Sequence, residues 1–373
     1  MRCVFLFMTY SAHREGSNFP WNPNIPPSPG FTEQGGFVSE GTFFLLQRLK
    51  QEKIIDDFIV VMDSARGHGV TTYEGVKVYV VPEISQIDPY LKKDDVIWVR
   101  GGFRSWFNWI VRKKEQGHWV MLYAANTGRQ RWTFWHVVLD DLHDSNRHDR
   151  HGRVFLKYRK PTNTSIFHPL DIDQVYDVCA GASYVHDKKG QWRVIESLIE
   201  YQRIYGKNLY CVLPGAFRHS THSSQIRDKI NTYHLDVKIT GMLPRKQLAV
   251  VLNQSRLFVH LGSSGQNDRG PLEALHCGCP IVIGSPSYHS PMVYNNESIS
   301  FVPPDKNDFT AVAKDLHRLV KRHNKKLRSE VIAHCRKEAD LDSVIVPAFR
   351  RLFKVYKENP TPNTDALREE YGV

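Results

Sequence analysis

The stretch Asp268-Arg269-Gly270-Pro271-Leu272-Glu273-Ala274-Leu275-His276-Cys277-Gly278-Cys279-Pro280-Ile281-Val282-Ile283 decides the fold. An apolar run, Leu257 to Leu261, leads into it through a Ser/Gly loop that includes Ser264 and Gly265, and a second apolar run starts at Pro280. The pattern reads as strand, loop, short helix, strand. In an open parallel sheet, ligands collect at the carboxyl ends of the strands, and a loop feeding a helix N-terminus is suited to hold their polar groups. Glu273 falls just inside this helix. A carboxylate there can accept two hydrogen bonds from a diol such as a ribose, and the helix dipole favours its charged form. Taken alone, a helix-start glutamate more commonly caps and solvates.

The same alternation extends on both sides of this stretch. Val175 to Ala182, Asn208 to Leu213 and Val237 to Thr240 read as strands, the last ending at Gly241. Trp192 to Ile204, Ile226 to Tyr233, Arg245 to Gln254 and Phe309 to about Arg322 read as helices. Lys188 and Lys189 stand where a strand's carboxyl end meets a helix start, so an ammonium there can neutralise a diphosphate; two exposed lysines in a turn fit as well.

Upstream, Cys3 to Met8 is a first strand, followed by a long polar loop with a Pro-rich part, Phe19 to Pro29. The loop ends at Gly35-Gly36, before helical spacing from Phe37 to Lys50. A glycine pair at such a turn lets backbone N–H groups approach a phosphate, although a plain turn explains it too. Phe58 to Met62, Val76 to Val81, Val96 to Val99 and His118 to Tyr123 are strand candidates and Phe103 to Glu115 a helix. Strands alternating with helices imply parallel sheet and right-handed crossovers.

Pro161 to Pro169 is polar and proline-bounded, and is the expected interdomain linker. The expected division is 1–165, 166–342, and 343–373 as a helix, Ser343 to Tyr356, followed by a frayed polar tail from Asn359. Between Tyr123 and Lys160 lies the most basic and aromatic part of the chain, including Arg129, Arg131, Trp132, Arg147, Arg150 and Arg153. Basic side chains interleaved with aromatics suit phosphates and stacked bases or sugars; a solvated loop over some buried aromatics fits equally. His143, Asp144, His148, Asp149 and His151 can be drawn as a metal site, but their spacings fit neither a helical nor a finger arrangement.

With 373 residues, 41% hydrophobic and 24% charged, the chain has the composition of a folded, soluble two-domain protein. The net charge of +11 favours anionic partners. Six cysteines without paired spacings imply free thiols in a reducing compartment, and neither a secretory signal nor a membrane span is evident.

The order of these features resembles the GT-B glycosyltransferases, specifically the large retaining family numbered 4, which uses nucleotide-sugar donors. Pro161-Thr162-Asn163 to Phe167-His168-Pro169 resembles the family's linker, Lys189-Gly190 its Lys-Gly step, Thr240-Gly241 the end of a strand, and Pro271 to Pro280 its Leu-Glu-Ala-Met-Ala-Cys-Gly-Thr-Pro segment. The resemblance implies an α/β fold of two doubly wound Rossmann-like domains facing across a cleft, acceptor-binding first and donor-binding second. The final helix is expected to pack back towards the first domain.

It also implies that the catalytic groups are Lys189, Asn126 and Gly36. The donor would lie against Gly35, Gly36, Lys188, Lys189, Arg193 and Gly241, then Ser264, Gly265, Asp268, Gly270, Pro271, Leu272 and Glu273. Arg129, Arg131 and Trp132 would take the acceptor. No metal or cofactor is implied; the UDP- or GDP-linked sugar is a co-substrate.

Four departures from the family pattern stand out, one of them the length of the Pro-rich loop before Gly35. Gly265 replaces a glutamate that normally contacts the donor sugar, Ser183-Tyr184 replaces a Gly-Arg pair, and Tyr123 to Asn126 replaces a histidine segment. The implied reaction transfers a hexosyl or pentosyl group with retention to a hydroxyl of a glycan or lipid-linked sugar at a membrane surface. The alternatives are a viral-type enzyme acting on hydroxymethylated bases of double-stranded DNA, and an inactive nucleotide-sugar or nucleic-acid binding protein. The location implied is cytoplasmic, peripheral to a membrane or on DNA in an infected cell.

Overall fold

A computed structural model describes residues 1–7, 41–62, 69–100, 104–123, 132–140, 145–181, 189–216, 221–262, 269–284, 300–301 and 305–373. The chain forms two compact units: Met1–Pro161 together with Leu341–Val373, and Thr162–Asp340.

The first unit opens on β1 (Arg2–Phe7), whose residues alternate between two cores: Cys3, Phe5 and Phe7 join one, Val4 and Leu6 the other. A strand apolar on both sides must be covered on both, which is the condition for a doubly wound sheet. The chain continues through α1 (Gly41–Gln51), β2 (Asp57–Met62), β3 (Gly69–Tyr73), β4 (Val76–Val80), β5 (Val96–Arg100), α2 (Arg104–Glu115), β6 (Val120–Tyr123), β7 (Val137–Asp140), β8 (Arg147–His148) and β9 (Val154–Lys157). The sheet order is β3-β4-β2-β1-β5-β6-β7-β9-β8. All described pairings are parallel except those of β3 and β8, the two edges.

The segment read from sequence as a basic, aromatic stretch thus contributes three strands. The apolar runs Val137-Val138-Leu139 and Val154-Phe155-Leu156 are too short to stand out among so many charges, yet they pair with each other in register and are buried. Packing on the sheet, not local composition, sets their conformation.

In the second unit the elements are β10 (Tyr176–Cys179), α3 (Gln191–Tyr205), β11 (Cys211–Pro214), α4 (Thr221–Thr232), β12 (Val237–Gly241), α5 (Arg245–Asn253), β13 (Ser255–His260), α6 (Arg269–His276), β14 (Ile281–Ile283), β15 (Ser300–Phe301), α7 (Phe309–Arg322) and α8 (Lys325–Ala339). Six strands in the order β12-β11-β10-β13-β14-β15 pair in parallel. Cores again lie on both faces: Cys179, Val212, Phe258 and Ile281 on one, and Val178, Cys211, Leu257 and Val282 on the other.

After Asp340 the chain rejoins the first unit through a single wide turn, Leu341–Ile345, followed by α9 (Val346–Glu358) and α10 (Thr364–Tyr371). Along α9, Phe349 stacks on Trp98 at 5.1 Å and Tyr356 on Trp119 at 4.2 Å. Each buried aromatic of this kind stabilises the unit by about 1.5–3 kcal/mol through burial. The tail from Asn359 is not frayed, contrary to the expectation from its polarity. The Asn363 side chain accepts from the amides of Asp365 and Ala366, and Leu367, fully buried, anchors the helix to the first unit's core. One fully buried residue in an eight-residue helix, with Ala366 and Tyr371 only partly buried beside it, is too little periodicity to read from sequence.

Candidate nucleotide site of the second unit

In the second unit the connections run from β10 outward through β11 to β12, then return to β13 on the other side of β10 and proceed to β14 and β15. The order therefore reverses between β10 and β13. A crevice forms outside the strand ends at such a seam, and ligands of open parallel sheets bind there.

Two elements converge on it. The first is the start of α3, capped by Gly190 with φ of +76°. A Cβ at this position would stand 2.2 Å from both the carbonyl carbon and the oxygen of Leu261, the residue following β13. Only glycine allows this approach together with the left-handed backbone. Lys189, half-buried, immediately precedes it. Arg193, one turn into α3, donates from Nε to Asn307 Oδ1 at 2.9 Å and from Nη1 to the Leu261 carbonyl at 3.4 Å, with its guanidinium 4.4 Å from the Trp192 ring centre.

The second element is α6. Gly270 lets it settle on the sheet, since a Cβ there would come within 3.0 Å of the Phe258 ring. Pro271 and Leu272 are buried behind it. Glu273 is only 4% exposed. Its Oε1 accepts a charge-assisted hydrogen bond from Nη2 of Arg245, in the first turn of α5. Arg245 in turn lies over Phe167, 4.6 Å from the ring centre, and Phe167 is buried in this unit's core. Arg245 thereby anchors one carboxylate oxygen, Oε1, in the second turn of α6 and not at the helix start that the sequence suggests. A buried carboxylate with its charge balanced on one side is arranged to receive hydroxyl donors on the other.

Arg245 is absent from the residues singled out by sequence, although a signal was present. A cation in the first turn of a helix opposes the helix dipole, so its placement calls for a carboxylate partner. Phe167, read as part of a linker, is core.

Of the other expected residues, Gly241 ends β12 in the left-handed conformation, φ +73°, and its carbonyl accepts from the Gly215 amide at 2.9 Å. Trp132 is half-buried in the first unit; its ring packs on Phe107 at 4.6 Å and its carbonyl accepts from Arg153 Nη1 at 2.7 Å. Gly35, Gly36, Asn126, Arg129, Arg131, Lys188, Ser264, Gly265 and Asp268 lie outside the described residues, as do His143 and Asp144 of the drawn metal cluster. Several of the remaining basic side chains are engaged within the unit. Arg147 pairs with Asp140 at 2.6 Å and Arg153 with Asp149, and both guanidinium groups sit over Phe155.

All six cysteines are free and buried. Burial pushes the Cys179 and Cys335 thiols up to about 12, and those of Cys277 and Cys279 also rise, so none offers a thiolate nucleophile near neutral pH. His276, closing α6, is pushed down to about 4 by burial and is neutral at pH 7.

The fold is shared with known proteins. Residues 180–338 match the family model described as glycosyl transferases group 1. A glycosyltransferase from Rickettsia africae ESF-5 superposes with a TM-score of 0.65 at 12% identity, over 96% of this chain and 98% of that one. The fold is that of the GT-B glycosyltransferases. Sucrose-phosphate synthase from Thermosynechococcus elongatus is also similar, with a TM-score of 0.65, 11% identity, and coverage of 96% and 99%. So is Anabaena HepE, whose structure holds UDP and glucose, with a TM-score of 0.58, 11% identity, and coverage of 96% and 100%. Curated protein sequences yield no match. Among the described residues, no helix of this GT-B chain is long and apolar enough to cross a membrane.

Proposed function

We propose that the chain transfers a sugar from a nucleotide-sugar donor to an acceptor hydroxyl, and that the seam between β10 and β13 holds the nucleotide. The observation that carries this reading is Glu273: buried in the second turn of α6 and charge-balanced at Oε1 by Arg245, with Oε2 assigned to the ligand. That oxygen is suited to a ribose diol. Support comes from the family match of this unit and from the UDP held by the similar HepE.

Lys189 and the amide end of α3 supply positive potential for a diphosphate. In the reaction, the acceptor oxygen bonds to the anomeric carbon as the bond from that carbon to the diphosphate oxygen breaks. The nucleoside diphosphate departs with the electron pair and takes up the acceptor's proton. Same-face attack of this kind retains the anomeric configuration without a protein nucleophile. The acceptor on this reading is a glycan or lipid-linked sugar. The DNA reading has less support, because Arg147 and Arg153 are already paired with Asp140 and Asp149.

A panel of UDP- and GDP-sugars, scored for hydrolysis and transfer, tests the proposal. Turnover of one donor with an axial product linkage from an axial donor, read by NMR, is the expected result. Binding without turnover of any donor would instead indicate a nucleotide-sugar binding protein, and no binding at all would remove the nucleotide site.

A further inference from the structure

Helices α3 and α4 cover one face of the second unit's sheet, and Ile195 of α3 and Ile226 of α4 are buried in the same core. Towards their amino ends the two helices leave a cleft of about 420 Å³. Its walls follow from helical spacing: Trp192, Ile195 and Glu196 on α3, and Gln225, Asp228 and Lys229 on α4, each stand at i, i+3 and i+4, which brings them to one face. The size falls within the roughly 300–1,000 Å³ of small-molecule sites.

The lining has an apolar floor and a polar rim. The floor is the Trp192 ring with Ile195 and Ile226. That ring is fixed from elsewhere, edge-on to Phe309 at 5.8 Å and with the Arg193 guanidinium 4.4 Å from its centre. On the rim, Glu196 and Lys229 pair from helix to helix, and Asp228 and Gln225 are exposed on α4.

Each part of this lining excludes a class of ligand. A wholly apolar molecule would strip water from the carboxylates and the ammonium without replacing it. An anion meets two carboxylates, Glu196 and Asp228, against one ammonium that Glu196 already neutralises. A cation placed on Trp192 meets the like charge of Arg193 at the same ring. A neutral pyranose avoids all three conflicts. Its C–H face packs on the negative face of the indole, and its hydroxyls donate to the carboxylates and exchange hydrogen bonds with the Gln225 amide.

We propose that the cleft between α3 and α4 is a carbohydrate site separate from the nucleotide seam, holding a neutral sugar ring of a glycan. Trp192 is two residues beyond Gly190, so the site lies within one helical turn of the start of α3. The role that fits is retention of a glycan chain beside the donor, and that role alone rests on the glycosyltransferase reading.

The full chain is first titrated calorimetrically with UDP and GDP. With the tighter one saturating, or without nucleotide if neither binds, it is then titrated with maltotetraose, cellotetraose, a chitin tetrasaccharide and tetramethylammonium. The indole N–H resonance of Trp192, assigned with Trp192→Phe, reports on the cleft. The expected result is that at least one tetrasaccharide shifts this resonance with a Kd on the order of 1 mM, as a small contact with few hydrogen bonds provides, and that tetramethylammonium does not. Gln225→Ala combined with Asp228→Ala, shown to be folded by an unchanged thermal transition, weakens that sugar at least about tenfold, the loss of one neutral and one charged hydrogen bond. No shift with any tetrasaccharide at roughly 10 mM, a shift with tetramethylammonium alone, or undiminished binding in the double variant would overturn the proposal. Failure of UDP and GDP to bind in the first titration counts against the nucleotide reading alone.

Discussion

Each unit reverses its strand order once, and the two seams are built from different materials. Between β10 and β13 the second unit brings backbone to the crevice: Gly190, at the amide end of α3, packs against the Leu261 carbonyl, and Glu273 is buried in the second turn of α6. Between β1 and β5 the first unit brings side chains, with Arg100 between Phe7 and Tyr123. Backbone amides and a fixed carboxylate suit a ligand whose polar groups are invariant, such as a ribose diphosphate. A cation mounted on aromatic rings can be exchanged in one substitution without disturbing the strands. The difference teaches that one seam is constrained by the fold itself and the other by the choice of three residues.

The strongest way to break this contrast is Gly190→Ala. The added Cβ meets backbone that cannot swing aside, and the left-handed conformation costs about 1–2 kcal/mol on its own. We expect a total loss of about 3 kcal/mol or more in the second unit, together with loss of nucleotide binding. Hydrogen exchange resolved by unit checks it: protection should fall in β10, α3 and β13 and persist in β1 and β5. Uniform protection would show that the close approach is not needed.

Acid should separate the units next. His276 stays neutral in the folded second unit down to about pH 4, and His136, buried in the first with its Nδ1 accepting from the Val120 amide, to about pH 3. Burial is the leading cause for both. An unfolded histidine takes its proton near 6.5, so between that pH and the folded value the unfolded state binds more protons. Stability from the neutral imidazole is therefore fully present above about pH 6.5 and is lost as pH falls to about 4 for His276, at most about 3 kcal/mol. His276→Leu should flatten this slope in urea titrations between pH 7 and 4.5 and leave the first unit's slope unchanged. His323, also pushed down to about 4 by burial, leaves a residual slope in the second unit.

How much of this was legible beforehand depends on where the signal lies. The second unit was readable because its strands, though as short as three or four residues, lie in apolar runs set off by glycine and proline punctuation, and because Glu273 stands at a fixed place in that rhythm. β7 and β9 were not, since four-residue strands among arginines and histidines carry almost no periodicity of their own. Arg245 was passed over because its meaning is tertiary: only once Phe167 and Glu273 are adjacent does a cation on α5 make sense. Arg100 was likewise hidden, because a single arginine ending an apolar strand reads as a boundary until the register places two aromatic rings beside it.

The nucleotide seam can be sharpened by two smaller changes. Glu273→Ala removes the carboxylate proposed for the ribose, and donor affinity should fall roughly 10- to 100-fold, the range for hydrogen bonds to a charged group. Arg245→Ala leaves the carboxylate but frees it from its anchor. Its expected mark is a loss of discrimination, with the ratio of affinities for UDP and 2′-deoxy-UDP falling by roughly a factor of five to ten, near the value of one oriented hydrogen bond. A ratio equal to that of the unsubstituted chain would reduce Arg245 to a packing role over Phe167.

The smallest effect is expected at Gly241, and it isolates backbone conformation from crowding. Gly241 has nearly the same dihedral as Gly190, φ +73° against +76°, but a Cβ there meets no atom within 4 Å. Gly241→Ala therefore carries only the left-handed penalty, about 1–2 kcal/mol, with no clash. If the close approach to Leu261 is what makes Gly190 indispensable, the two alanine variants must differ in thermal stability by at least about 1 kcal/mol, and Gly241→Ala must retain most of the nucleotide affinity. Equal losses would mean that the left-handed turn, and not the contact between α3 and the end of β13, holds the seam open.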